Sequence, residues 1–100
     1  MNIFKDAYFG KFYKTRDGRK AIFLESYEVI VFGKERTCVK CIIQEEPDFY
    51  FYELDGLNFY GGYAIDENGN IEYWNTDIIS EYKEEINEEK LEKFAFEESL

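Results

Sequence analysis

Cys38 and Cys41 are the only cysteines of the chain and form a Cys-x-x-Cys pair within RTCVKCIIQ. Such a pair does redox chemistry when it opens a helix, where the dipole lowers a thiol pKa. It holds zinc when two further Cys or His ligands are supplied. The surrounding run is strand-like, so residues three apart point to opposite faces. The chain has no histidine and no third cysteine. Ordinary strand cysteines and no stoichiometric zinc are expected.

The absence of histidine also removes the usual general base and the Ser-His and Cys-His nucleophile pairs. No P-loop or G-x-G-x-x-G is present. The stretch LDGLNFYGGY has glycines but no following Lys-Ser/Thr. Carboxylates are plentiful, yet glycoside hydrolysis needs two of them set in a substrate cleft, and 100 residues leave little room for one. A non-enzymatic protein without metal or cofactor is expected.

Binding chemistry is better represented. Residues 14–23, KTRDGRKAIF, gather four cations around one Asp-Gly. Guanidinium forks grip phosphate bidentately, which makes Arg16, Arg19 and Lys20 a candidate anion site. The plainer reading is a solvated hairpin tip whose long basic side chains cover apolar surface. Charge is unevenly divided. Residues 1–41 hold nine Lys/Arg and five Asp/Glu, a net of +4, whereas residues 42–100 hold three and seventeen, a net of −14. Glu84, Glu85, Glu88 and Glu89 crowd the acidic end and are candidate partner-binding residues. Residues 49–63 contain seven aromatics. Strand alternation puts Phe49 and Phe51 on one face and Tyr50 and Tyr52 on the other. Phe49, Phe51 and Trp74 are expected in the core, and Tyr50, Tyr52 and Tyr60 on a surface able to stack on a base or anchor a protein.

The elements that must position these residues follow from turn signals. Asp17-Gly18 closes a hairpin between residues 12–16 and 20–26. Gly33-Lys34 ends YEVIVFG, RTCVKCIIQ follows as a strand, and Pro47 marks a boundary. Asn68-Gly69 favours a type I′ hairpin whose return strand, residues 71–75, ends at Trp74. The period then changes. Asp77 is placed to cap a helix, and Ile78, Tyr82 and Ile86 fall on one helical face. Asn87 is placed to cap a second helix carrying Leu91, Phe94 and Ala95. The expected fold is α+β: an antiparallel meander, as a small barrel or bent sheet, then one or two C-terminal α-helices. One domain spans residues 1–100, with a β core in 1–76 and an acidic helical segment in 77–100.

Residues 15–21 (TRDGRKA), residues 66–74 (DENGNIEYW) and residues 77–82 (DIISEY) resemble a group of small, uncharacterised proteins encoded by bacteriophages and mobile elements. Their pattern is a T-R-D-G-R-K-A turn, a later D-x-x-G turn near a Trp, and a closing Asp-Ile-Val-Ser-Glu-Trp. Tyr82 stands where Trp is usual, and residues 83–100 run past the common end. The resemblance covers the first 80 residues or so and implies a small β domain of phage or mobile-element origin.

The functional expectation is a phage-type binding protein, a host-defence inhibitor whose acidic half mimics nucleic acid on a basic, nucleic-acid-binding host effector. The alternatives are a protein that sequesters a nucleotide signal with the basic turn and tyrosines, or a homo-oligomeric assembly module. The net charge of −10 disfavours direct nucleic-acid binding. No run approaches the ~20 apolar residues of a membrane span, and MNIFKDAYFG is too polar for a signal peptide. A cytoplasmic location in the host cell, with no membrane partner, is expected.

Overall fold

A computed structural model describes residues 1–83. Seven strands follow one another: β1 (Phe12–Thr15), β2 (Lys20–Val31), β3 (Lys34–Ile43), β4 (Phe49–Tyr52), β5 (Ala64–Ile65), β6 (Ile71–Glu72) and β7 (Ile78–Glu81). Five of them form one antiparallel sheet in the order β4-β3-β2-β1-β7, and β5 and β6 pair by themselves. The first four strands are thus a meander. β7 returns to lie beside β1, pairing Tyr13 with Glu81 and Lys14 with Ser80. Among the described residues the sheet stays open, with β4 and β7 at its edges. One bulge lies in β2 between Phe23 and Glu25, and another where β1 meets β7, between Lys14 and Thr15. Such irregularities bend a strand and sharpen its twist.

The core sits on one face of this sheet. Tyr13, Ala21, Phe23, Val39, Cys41, Ile43, Tyr52 and Ile78 are buried there, with Phe4 from the N-terminal turns packed against them. The Ile3 N–H donates to the Leu54 carbonyl and the Gly10 N–H to the Phe23 carbonyl, which fixes that N-terminal cover. Gly56 takes φ +87°, and a Cβ there would collide with the Ile78 carbonyl. A glycine is therefore required where the chain passes behind β7.

Three expectations are corrected. First, among the described residues there is no helix, and the expected start of one at Asp77 is the approach to β7. The Ile78 N–H bonds the Gly56 carbonyl, and residues 78–81 extend along β1. Pairing with a ready strand edge outweighs a local helical preference worth only tenths of a kcal/mol per residue. β7 also carries the sheet past residue 76. The expected second helix lies outside the described residues. Second, the aromatic faces are inverted. Tyr52 is buried, Phe49 is 54% exposed, and Trp74 is 43% exposed. The register explains this. Tyr52 lies opposite Val39 and Tyr50 opposite Cys41, both of which face the core, whereas Phe49 and Phe51 lie opposite Ile42 and Lys40. Third, the Asn68-Gly69 hairpin is not type I′, and the expected Asp17-Gly18 hairpin has the same form. Only Gly18 (φ 88°) and Gly69 (φ 81°) have positive φ. Each loop is a turn followed by one glycine in the left-handed region, the three-residue hairpin device.

Candidate functional site

The basic turn is tied to its own chain on both sides. The Thr15 N–H donates to the Arg19 carbonyl, and the Gly18 N–H donates back to the Thr15 carbonyl, each at 2.9 Å. Thr15 is fully buried. Its hydroxyl donates to Asp17 Oδ1 and accepts the Arg19 N–H. The Arg19 guanidinium donates from Nε to Asp17 Oδ2 at 3.0 Å and from Nη1 to Glu46 Oε1 at 2.6 Å. The hydrogen bonds from Arg19 and Thr15 hold the Asp17 carboxyl below its ordinary range.

The far side of the turn meets the approach to β7. The Arg16 N–H donates to the Asp77 carbonyl at 2.7 Å and the Asp17 N–H to the Asn75 carbonyl at 3.1 Å. The Arg16 side chain donates from Nε to the Trp74 carbonyl at 3.3 Å. It lies 5.1 Å over the Tyr73 ring and has Nη2 3.6 Å from Asp77 Oδ2. Asp77 has no exposed surface. Its Oδ1 accepts the Asn58 N–H at 3.0 Å, whereas Oδ2 has no hydrogen bond among the described residues. Burial pushes this carboxyl up, against the Asn58 hydrogen bond and the Arg16 charge. The TRDGR and DIISEY stretches thus form one structural unit, with Trp74 at its side.

This arrangement bears directly on the anion reading. Both arginines of the Arg16, Arg19 and Lys20 set already face carboxylates of the same chain. The Lys20 ammonium lies 4.4 Å over the Phe12 ring and 4.9 Å over the Tyr82 ring, a cation–π arrangement. The proposed tyrosine surface is dispersed. Tyr52 is buried and donates its hydroxyl to the Thr76 carbonyl at 2.8 Å, and Tyr50 packs at the core margin. Tyr60 is 79% exposed. Glu84, Glu85, Glu88 and Glu89 lie outside the described residues.

Cys38 and Cys41 are free and buried. Cys41 faces the core with Val39, so Cys38 is on the opposite face, paired across the ribbon with Tyr27. Burial pushes the Cys41 thiol up to about 12 and raises that of Cys38 as well. Both are protonated at neutral pH, and a thiol rather than a thiolate is a poor nucleophile. Among the described residues no group of three or more Cys, Asp or Glu converges as a metal site. Among them also, no helix is long and apolar enough to cross a membrane.

Two surfaces were not read from the sequence. One is the sheet face opposite the core. Phe12, Ile22, Ile42 and Phe49 stand in register across β1, β2, β3 and β4. Phe12 is 40% exposed, Phe49 is 54% exposed, and the two isoleucines are half-buried. Lys40 lies 4.0 Å over Phe49, as Lys20 lies over Phe12. The signal was the alternation itself, read with the wrong face inward.

The other surface is the end of the β2–β3 hairpin. From Glu28 opposite Thr37 to Val31 opposite Lys34, the ribbon has no third strand among the described residues. Its loop is Phe32-Gly33, with φ of 51° and 76°. Positive φ at both loop positions is the type I′ signature, for which Asn-Gly is the usual choice. Phe32 is fully exposed and Ile30 is 79% exposed. A bulky residue in the left-handed region is an outlier. The available signal was an apolar run, VIVF, leading into glycine without a polar turn residue.

Comparison with protein-family models, with curated proteins and with solved structures found no match.

Proposed function

We propose that this chain is a non-enzymatic binding protein whose anchor is the tip of the β2–β3 ribbon. The observation that carries the reading is Phe32: fully exposed and in a backbone conformation that costs an L-residue roughly 1–2 kcal/mol. Strain of this kind collects at sites where a side chain must be presented in one direction. Ile30 adds a second apolar contact beside it. The partner is a protein with an apolar pocket of aromatic size, since such anchors dominate binding energy when desolvated.

In the phage-type reading that partner is a basic, nucleic-acid-binding host effector. The acidic half, with Glu84, Glu85, Glu88 and Glu89, supplies long-range attraction to it. The two elements divide the work kinetically. Exposed charge acts mainly on the on-rate and a buried anchor mainly on the off-rate.

The test places a photo-crosslinking benzoylphenylalanine at position 32 in extract of the host cell. The expected product is one host protein, competed away by the unmodified chain. With that protein purified, Phe32→Asn raises the off-rate about tenfold or more, as loss of an aromatic anchor implies. The fourfold Glu→Gln variant at positions 84, 85, 88 and 89 lowers the on-rate and flattens its salt dependence. Unchanged binding by Phe32→Asn overturns the reading. Crosslinking of the chain only to itself assigns the tip to a homo-oligomer contact instead. Loss of nucleotide binding on changing Arg16 and Arg19 would replace protein recognition by signal sequestration.

A further inference from the structure

Residues 42–82 hold ten Asp/Glu and no Lys/Arg, so the question along this stretch is which carboxylates are still available. Glu46 holds Arg19, Glu53 holds Arg36 and Glu81 holds Lys11. Asp77 is buried, and Asp66 accepts the Asn68 and Asn70 N–H groups of its own turn. Glu72 differs from these. It is exposed on β6, opposite Ala64 of β5. Its carboxylate has no hydrogen bond or ion pair among the described residues.

Glu72 borders a concavity of about 250 Å³ together with Ala64, Tyr73, Trp74 and Asn75. Both aromatic residues keep exposed surface, and both rings are held in place. The Trp74 Nε1–H donates to the Gly61 carbonyl at 2.6 Å, and the Tyr73 ring meets Tyr63 edge-on at 6.3 Å. A recess formed in advance lowers the ordering cost of binding. An unpaired carboxylate beside two aromatic residues suits a cation. A planar guanidinium suits it best, because it stacks on a ring while its N–H fork meets a carboxylate, whereas an ammonium is a strongly hydrated point charge. The chain contains a precedent. The Arg16 guanidinium lies 5.1 Å over the Tyr73 ring with the Asp77 carboxylate beside it. Arg16 does not line the concavity, and Asp77 offsets its charge. Space and charge therefore remain for a second guanidinium at Glu72.

We propose that the concavity of Glu72, Tyr73 and Trp74 receives an arginine side chain of a basic protein partner. Glu72 pairs with the guanidinium, and the aromatic residues stack against it. The site lies on the β5–β6 hairpin. It uses none of the glutamates at positions 84, 85, 88 and 89 and does not require the Phe32 tip.

Trp74 is the single tryptophan of the chain, so its indole N–H gives one nuclear magnetic resonance signal at the site itself. The whole chain is titrated at low salt with the peptide acetyl-Gly-Arg-Gly-amide. A second titration uses the citrulline analogue, which keeps the shape and loses the charge. The expected result is a saturable shift of the indole signal with the arginine peptide and none with the citrulline peptide. Glu72→Gln weakens binding about tenfold, as loss of a charge-assisted pair implies, while the indole signal of the free protein keeps its wild-type position. Glu67→Gln, at an exposed carboxylate of the same hairpin outside the concavity, leaves binding unchanged. Equal shifts with both peptides, no saturation with the arginine peptide, or equal affinities of wild type and Glu72→Gln overturn the proposal. A lysine peptide that binds as tightly overturns the assignment to guanidinium. No host protein enters these titrations, so this site and the Phe32 tip fail separately.

Discussion

Two hairpin tips of this protein have exchanged the roles that their compositions suggest. The tip at residues 15–19 is strongly charged, yet its polar groups turn back onto the chain. Thr15 is buried, Arg19 bridges Asp17 and Glu46, and Arg16 reaches Asp77 and the Trp74 carbonyl. The run into the other tip, residues 29–32, is apolar, yet Phe32 projects fully into solvent. Charge in a sequence is not the same as available charge, and an apolar run is not the same as core. What decides is whether partners exist nearby. The first tip lies against β7 and the β3–β4 loop, whereas the second lies beyond every third strand described.

The largest expected effect is at the first tip. Asp77→Ala removes the acceptor of the Asn58 N–H and the carboxylate facing Arg16. The loss should be about 2–3 kcal/mol, as for a buried donor left without its partner, read as a lower urea midpoint at unchanged slope. A loss below ~0.5 kcal/mol, the level of an ordinary surface change, would mean that the first tip is no better anchored than the second. At the second tip the sign reverses. Phe32→Asn should stabilise the protein by about 1 kcal/mol, because Asn tolerates the left-handed conformation that Phe resists. Destabilisation instead would show Phe32 packed against its own chain and would remove the strain argument.

The finest distinction lies within the first tip. Burial raises Asp77, so its folded form holds a proton more tightly than the unfolded chain does. That contribution is present below the ordinary carboxyl value and is lost as pH rises through the folded one. Asp17 is lowered, so its contribution is present above the ordinary value and is lost as pH falls. Between pH 3 and 7, the stability difference between wild type and Asp77→Asn should shrink with rising pH, and that for Asp17→Asn should grow. Parallel trends would contradict the opposite environments assigned to the two carboxyls.

Much of the sheet was legible because turn chemistry punctuates it. Asp17-Gly18, Gly33 and Pro47 mark three of the joints between β1 and β4. The helix expected from Asp77 failed for a reason inherent in the pattern. Ile78 and Tyr82 are four apart, which is one helical turn and also two full strand periods, so spacing alone cannot choose. A distant strand, β1, chose. Inward and outward faces of FYFY were likewise undetermined by alternation. Cys41 and Val39 opposite Tyr50 and Tyr52 settled them, and the Thr76 carbonyl gave the buried Tyr52 hydroxyl its partner. The placement of the cysteines was readable because the argument was local: both lie in a strand, three residues apart and so on opposite faces. The Phe32 tip was not, since an aromatic before glycine gives no sign that it occupies the loop rather than the strand.

The pairing of β7 with β1 also governs the order of events when the chain folds. β1 to β4 are joined by short loops, and their contacts can form as each strand appears. β1 does not gain its second neighbour until Glu81 has been made, because its partner residues come from near the other end of the described chain. Until then the Tyr13 side of the sheet presents an unpaired edge, open to strands of other molecules. Closing so distant a contact late slows folding relative to the meander itself. The buried Asp77, seated only when β7 arrives, makes completion of that last step a condition for the TRDGR turn to become fully ordered.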